Sequence, residues 1–133
     1  MSARKVLDSY GLIAFFENEP GADRVADLIK EARDKDKPLF LSVVNWGEVY
    51  YIVSRTAGKA AAEETIKNLD TLPIEIVGVD RAMTKLAAEF KASRKMSYAD
   101  CFAAALAKNK KAELITGDKE FKEVEGDIKI VWV

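Results

Sequence analysis

The stretch Glu113-Leu114-Ile115-Thr116-Gly117-Asp118 joins a short apolar run to a turn that carries a carboxylate. Short apolar runs bounded by turn residues predict strands that are buried on both faces of a sheet. Lys5-Val6-Leu7-Asp8 has the same character near the start of the chain. Similar runs lie at Leu39–Ser42, Ile74–Val77 and Ile128–Val133. The sequence therefore predicts about five short strands.

Helical patterns separate these runs. The predicted helices cover about residues 12–16, 25–32, 44–55, 60–69, 80–93 and 97–108. Alternating strands and helices with right-handed crossovers predict an α/β protein, a three-layer α/β/α fold around a mainly parallel sheet. The sequence contains no repeat or long linker, so a single domain over residues 1–133 is expected. In such sheets, sites form beyond the carboxyl ends of the strands.

Composition narrows the chemistry of any site. The chain has 21 basic and 22 acidic residues, so it has no overall basic footprint for nucleic acid. It contains no His, which excludes Ser-His-Asp and Cys-His catalysis and His-ligated zinc. Its single cysteine, Cys101, excludes an intrachain disulfide and a multi-thiolate metal site. A bound metal would need oxygen ligands, which favours Mg²⁺ or Mn²⁺.

The chain start and the cysteine content bear on location. Residues 1–5 lead into only a short apolar run, which predicts neither a signal peptide nor a membrane span. A single thiol fits a reducing compartment. We therefore expect a cytoplasmic protein with no membrane partner.

Two candidate carboxylates directly follow predicted inner strands. Asp8 follows Val6-Leu7, and Asp118 follows Leu114-Ile115-Thr116-Gly117. Each has an ordinary alternative, because Asp favours helix N-caps and Gly-Asp is common in turns. Taken alone, each residue fits the ordinary alternative better. Their shared position at strand ends makes the pair a candidate site.

Two further carboxylates lie within or at the start of predicted helices. Glu48 shares a helical face with Val44 and Ile52, where a lone buried charge needs a partner. That partner is a cation, a hydrogen-bond network or an Arg, for which Arg55, seven residues later, is the ordinary alternative. Asp100 lies three residues after Ser97, which is also the spacing of a capping box.

Converging carboxylates without basic partners repel one another and need a divalent cation to stay ionised together. Such a cation can lower the pKa of a bound water and orient a phosphodiester, and two ions about 4 Å apart can divide these tasks. Asp8, Glu48, Asp100 and Asp118 are therefore the predicted catalytic residues. Glu17 and Glu120 are possible outer members of the site.

Four segments in this order resemble those of PIN-domain nucleases, in particular the VapC-type toxins of toxin–antitoxin pairs. The segments are Val6-Leu7-Asp8-Ser9, Asn45-Trp46-Gly47-Glu48-Val49, Ser97-Tyr98-Ala99-Asp100 and Leu114-Ile115-Thr116-Gly117-Asp118-Lys119-Glu120-Phe121. Each segment alone is weak, but the ordered set covers almost the whole chain and is fairly specific.

The resemblance implies that the four acids gather at one end of the sheet and support Mg²⁺- or Mn²⁺-dependent cleavage of RNA. It implies that Asp8, Asp100 and Asp118 are metal ligands, and that Ser9, Asn45 and Thr116 orient carboxylates or waters. It further implies a homodimer and a cognate antitoxin protein, so that the chain would be the toxin of a type II pair.

Other interpretations remain open at this point. One is a non-catalytic PIN-like module that binds RNA or protein, and another is a phosphoacceptor α/β domain. Local cations could hold substrate phosphates, although ordinary solvent exposure explains each of them better when it is taken alone. These cations are Arg94, Lys95, Lys108, Lys110, Lys111, Lys119 and Lys122.

Overall fold

Five parallel strands form the centre of the structure, a computed structural model that describes residues 3–133. The strands are β1 (Lys5–Leu7), β2 (Leu39–Ser42), β3 (Ile74–Val77), β4 (Glu113–Thr116) and β5 (Ile130–Trp132). They lie in the order β3-β2-β1-β4-β5, and every neighbouring pair is parallel. Met1 and Ser2, which the predicted domain includes, lie outside the described residues.

Six α-helices and one 3₁₀ helix connect the strands within residues 3–133. They are α1 (Ser9–Phe16), α2 (Ala22–Asp34), α3 (Val43–Ala57), α4 (Lys59–Leu69), α5 (Arg81–Ser93), α6 (Tyr98–Lys110) and the 3₁₀ helix (Lys119–Val124). Among these residues, no helix has the length and apolar content needed to cross a membrane.

Neighbouring strands place their apolar residues in register. Val6 is paired with Phe40 and Leu114, and all three belong to the core that packs under α5 and α6. Leu7 and Ile115 are paired one position later and belong to the core formed with α1 to α4. Successive residues of a strand point to opposite faces, so each central strand contributes to both cores. The predicted three-layer α/β/α fold is confirmed.

The ends of several elements differ from the prediction. β1 ends at Leu7 and α1 begins at Ser9, because Asp8 is the N-cap of α1. β5 begins at Ile130, since the buried Ile128 still belongs to the turn after the 3₁₀ helix and donates its N–H to the Val124 carbonyl at 2.9 Å. The sequence predicts no element for the segment that forms the 3₁₀ helix.

The strand order locates the crevice of the sheet. β2 and β3 lie on one side of β1, whereas β4 and β5 lie on the other. The direction of winding reverses between β1 and β4, and ligands of open α/β sheets bind beyond the carboxyl ends at such a reversal. Asp8 follows β1 and Asp118 follows β4, so both residues lie at this crevice.

Candidate metal centre

Asp8 is held rigidly at the end of β1. Its Oδ1 accepts a hydrogen bond from Gly11 N at 2.8 Å, and its Oδ2 accepts one from Thr116 Oγ1 at 2.6 Å. The side chain is buried, and burial raises its pKa to about 7, helped by the charges of Asp100 and Asp118 and opposed by the two hydrogen bonds. Asp8 is therefore both the predicted site residue and a helix cap.

Gly11 permits this close arrangement. A Cβ at position 11 would lie 2.9 Å from Leu7 Cδ1 and 3.3 Å from Asp8 Oδ1. Contacts this short would require the end of the Leu7 side chain, the Asp8 carboxylate or the first turn of α1 to shift. The glycine therefore lets the helix begin directly on the carboxylate.

Thr116 links the carboxylates of two neighbouring strands. Its hydroxyl donates to Asp8 and accepts a hydrogen bond from Asp118 N at 2.9 Å. Asp118 in turn caps the 3₁₀ helix, since its Oδ1 accepts from Glu120 N at 2.9 Å. The one hydroxyl fixes both the Asp8 side chain and the backbone that carries Asp118.

Asp100 lies in the first turn of α6. Ser97 is the N-cap, as predicted, and its Oγ accepts from Asp100 N at 3.2 Å. In a complete capping box the carboxylate of Asp100 would accept from Ser97 N. Here Ser97 N donates to Glu120 Oε1 at 3.0 Å instead. The Asp100 carboxylate is therefore not tied to the N–H of its own cap.

The environment of Asp100 disfavours its charge. Burial raises the pKa of Asp100 to about 7, and the Asp118, Glu48 and Glu120 charges add to this effect, while a hydrogen bond with Ser97 opposes it. A divalent cation between these groups would reverse the balance and favour the ionised carboxylates.

Three carboxylates come close enough to share one ion. Single oxygens of Asp100, Asp118 and Glu120 all lie within 4.8 Å of one another. Glu120, which the sequence suggested only as an outer member, belongs to this three-carboxylate cluster. Asp8 is not part of it, although its charge interacts with those of Asp100 and Asp118. Asp8 as a direct metal ligand stays a prediction.

Glu48 is fixed by the two supporting residues that the sequence singled out on α1 and α3. Its Oε1 accepts from Ser9 Oγ at 2.7 Å and from Asn45 Nδ2 at 3.0 Å. Asn45 Nδ2 also donates to the carbonyl of Ala99 at 3.2 Å, which connects α3 with α6. Arg55, the alternative partner of Glu48, lies over the Tyr51 ring.

These groups open onto a cleft of about 240 Å³, called the acidic cleft below. Its lining residues are Ser9, Tyr10, Ile13, Glu19, Glu48, Ile52, Ser97, Asp100, Asp118 and Glu120. No Lys or Arg of residues 3–133 belongs to this lining, so the predicted phosphate-binding cations lie elsewhere. Glu17 is exposed and outside the lining, whereas Glu19, which the sequence analysis missed, is part of it.

The donor set fits a hard divalent cation. The acidic cleft offers carboxylate oxygens, and Asn45 Oδ1 is a buried acceptor with no hydrogen-bond partner among the described residues. Mg²⁺ and Mn²⁺ prefer such oxygen ligands. Zinc would favour His or Cys ligands, and the nearby Cys101 is buried, with a thiol whose pKa burial raises.

Comparison with solved structures shows the same fold in toxin–antitoxin proteins. A toxin–antitoxin complex from Klebsiella pneumoniae has 20% identity and a TM-score of 0.68, with 96% of this chain and 95% of that chain covered. DNA-bound VapBC from Salmonella typhimurium has 16% identity and a TM-score of 0.76, with 97% of each chain covered.

A third similar structure is Mycobacterium tuberculosis VapC20, described as a sarcin–ricin-loop-cleaving toxin. It has 16% identity and a TM-score of 0.73, with 97% of this chain and 99% of that chain covered.

A search of curated protein sequences gave no match. The family model of the PIN domain matches residues 5–127, which include all four predicted catalytic acids. The chain therefore belongs to the PIN-domain family.

Proposed function

We propose that the protein is a divalent-metal-dependent endoribonuclease and the toxin of a type II toxin–antitoxin pair. The observation that carries this proposal is the three-carboxylate cluster at the reversal point of a PIN-domain sheet. The absence of His from the sequence leaves metal-assisted hydrolysis as the chemistry that this cleft supports best. RNA as the substrate follows the family resemblance and agrees with the sarcin–ricin-loop cleavage stated for VapC20.

In this proposal Asp100, Asp118 and Glu120 hold Mg²⁺ or Mn²⁺, and Asp8 completes the ligand set. The bound ion would supply Lewis-acid stabilisation of a phosphodiester and lower the pKa of an attacking water. Thr116 keeps the Asp8 carboxylate aimed at the crevice. Precise ligand placement matters because small errors in the position of reacting groups cost large factors in rate.

Glu48 has a different role in the proposal. Its Oε1 is occupied by Ser9 and Asn45, while the carboxylate still lines the acidic cleft. We assign it to orienting and deprotonating the water that attacks the phosphodiester. Ser9 and Asn45 then act as positioning residues for Glu48.

The partners in this proposal are an RNA substrate, an antitoxin protein and a second copy of the chain. The antitoxin follows from the solved toxin–antitoxin complex and the VapBC structure of the same fold. The homodimer follows from the family resemblance alone. A cytoplasmic location agrees with an RNA substrate and with the free thiol of Cys101.

The proposal is tested by incubating the purified protein with a pool of structured and single-stranded RNAs. Parallel reactions contain Mn²⁺, Mg²⁺ or chelator, and each is repeated with Asp8→Asn and Asp80→Asn. Asp80 is a matched control because it caps α5 through a 2.8 Å bond to Met83 N but is exposed and outside the acidic cleft.

We expect cleavage that needs metal, vanishes in Asp8→Asn and persists in Asp80→Asn. Cleavage in chelator, or equal cleavage by both variants, would refute the acidic site as the nuclease centre. Tight RNA or protein binding by a folded, antitoxin-free protein without hydrolysis would instead support the non-catalytic binding module.

A further inference from the structure

Tyr10 presents an aromatic ring at the edge of the acidic cleft. It is the second residue of α1, it lines the cleft, and 45% of it is exposed. The proposed hydrolysis gives this ring no task. An exposed tyrosine two residues from Asp8 therefore needs its own explanation.

The backbone at Gly117 holds the ring in place. A Cβ at position 117 would lie 2.5 Å from Tyr10 Cε1 and 3.3 Å from Tyr10 Cδ1. The ring edge thus packs directly on the peptide that precedes Asp118. Because Thr116 fixes that peptide through Asp118 N, the ring has a defined position relative to the carboxylates. A pre-positioned aromatic surface loses little conformational entropy when it binds a ligand.

The lining of the acidic cleft is chemically mixed. It carries carboxylates, and Tyr10, Ile13 and Ile52 add apolar surface to it. An RNA chain offers phosphates and flat bases. Without Lys or Arg in the described lining, a second phosphate would find no counter-charge there. A base would find the aromatic and aliphatic surface on which bases stack.

We propose that Tyr10 is the base-stacking platform for a nucleotide beside the scissile phosphate. This inference rests on the proposed endoribonuclease function. A base within an A-form duplex is already stacked on its neighbours, so only a single-stranded or splayed nucleotide can reach the ring.

The test measures KM and kcat in Mn²⁺ on a short single-stranded RNA that the wild-type protein cleaves. The variants are Tyr10→Ala, Tyr10→Phe, Tyr10→Trp and Tyr51→Ala. Tyr51 is the matched control, since it is also 45% exposed but lies on α3 outside the cleft lining. Circular dichroism checks that each variant is folded.

We expect Tyr10→Ala to raise KM on the order of 10-fold with a smaller change in kcat, because stacking contributes to uniform binding. Tyr10→Phe and Tyr10→Trp keep an aromatic ring and should retain the wild-type KM. Tyr51→Ala should leave both constants unchanged.

Substrates with one abasic nucleotide at successive positions identify the stacked base. At one position beside the cleavage site, base removal should raise the wild-type KM by the same factor and leave that of Tyr10→Ala unaffected. Additive losses at every position, or unchanged kinetics of Tyr10→Ala, would overturn the stacking subsite while the nuclease proposal stands. If the wild-type protein cleaves no RNA, both proposals fail together.

Discussion

Asp8→Asn tests how strongly a buried carboxylate destabilises the metal-free fold. The variant keeps an oxygen that can accept from Gly11 N, as Asp8 Oδ1 does at 2.8 Å. Its new amide group faces Thr116 Oγ1. In the wild-type protein this hydroxyl donates to the Asp8 carboxylate at 2.6 Å. The lost carboxylate acceptor for that hydroxyl costs about 1 kcal/mol where Asp8 is ionised in the wild type. The gain from removing the charge depends on pH.

The pKa of Asp8 sets the size of the pH-dependent change in the free energy of unfolding. The unfolded chain releases this proton near pH 3.8, whereas the folded chain retains it until about pH 7. Between these values the folded state binds more protons, so its stability falls as pH rises. The full shift corresponds to roughly 4 kcal/mol at about 1.4 kcal/mol per pKa unit. Of this, about 2–3 kcal/mol is lost between about pH 5 and about pH 8.

The assay is urea unfolding in chelator at several pH values, for wild type, Asp8→Asn and Asp80→Asn. Relative to wild type, Asp8→Asn should gain about 2–3 kcal/mol between about pH 5 and about pH 8. Asp80→Asn should show a constant difference, because Asp80 makes the same 2.8 Å cap bond from an exposed position. Saturating Mn²⁺ should then stabilise wild type more than Asp8→Asn, because only binding to the folded state adds stability.

A stability difference between Asp8→Asn and wild type that stays constant with pH would refute this reasoning, because it would mean that Asp8 is ionised in the folded protein at no cost. Equal stabilisation of wild type and Asp8→Asn by Mn²⁺ would refute the assignment of Asp8 to the ligand set. The two results are independent, so the burial argument and the metal argument can fail separately.

Three further predictions follow from single contacts. Ser97→Ala removes the cap of α6 and should lower the free energy of unfolding by about 1 kcal/mol in urea titrations, with no comparable loss for Ser93→Ala. Gly117→Ala should cost about 1–3 kcal/mol because its Cβ would meet the Tyr10 ring and, at 3.2 Å, the Val133 carbonyl oxygen; Tyr10→Ala should relieve the part due to the ring, and Gly78→Ala should not share the cost. Ser9→Ala removes the hydroxyl that donates to Glu48 Oε1 and should lower the RNA cleavage rate by about 10-fold to 100-fold with the same metal dependence; an unchanged rate would show that Ser9 does not position Glu48 for catalysis.

Strands β2 and β3 were among the most predictable parts of the fold. The predicted bounds of Leu39–Ser42 and Ile74–Val77 match β2 and β3. In these strands the apolar run stops at a helix cap or before a glycine, so the end of the apolar run marks the end of the strand. β1 and β5 were less predictable. The end of β1 is hard to predict because Asp8 follows the strand directly and caps the next helix. The start of β5 is hard to predict because Ile128 is buried without being in a strand.

The site was predictable where it depends on strand ends and less so where it depends on loop geometry. Asp8 and Asp118 follow adjacent parallel strands, so the fold class alone brings them together. Glu120 joins the cluster because a 3₁₀ helix follows its N-cap Asp118. The sequence signal for this helix is weak. It consists of Phe121 and Val124, which are three residues apart and buried on the same face of the helix. Glu19 reaches the cleft through a loop with positive φ at Asn18 and Gly21.

The way the acids are held explains why no basic side chain is needed at the centre. Asp8 is fixed by a hydroxyl and a peptide N–H, and Glu48 by a hydroxyl and an amide. These neutral donors orient the carboxylates without cancelling their charge. A Lys or Arg in the same place would satisfy the geometry but would compete with a divalent cation for the oxygens. In the proposed function, this neutral scaffold would lower the stability of the metal-free protein and would leave the carboxylates free to bind the ion.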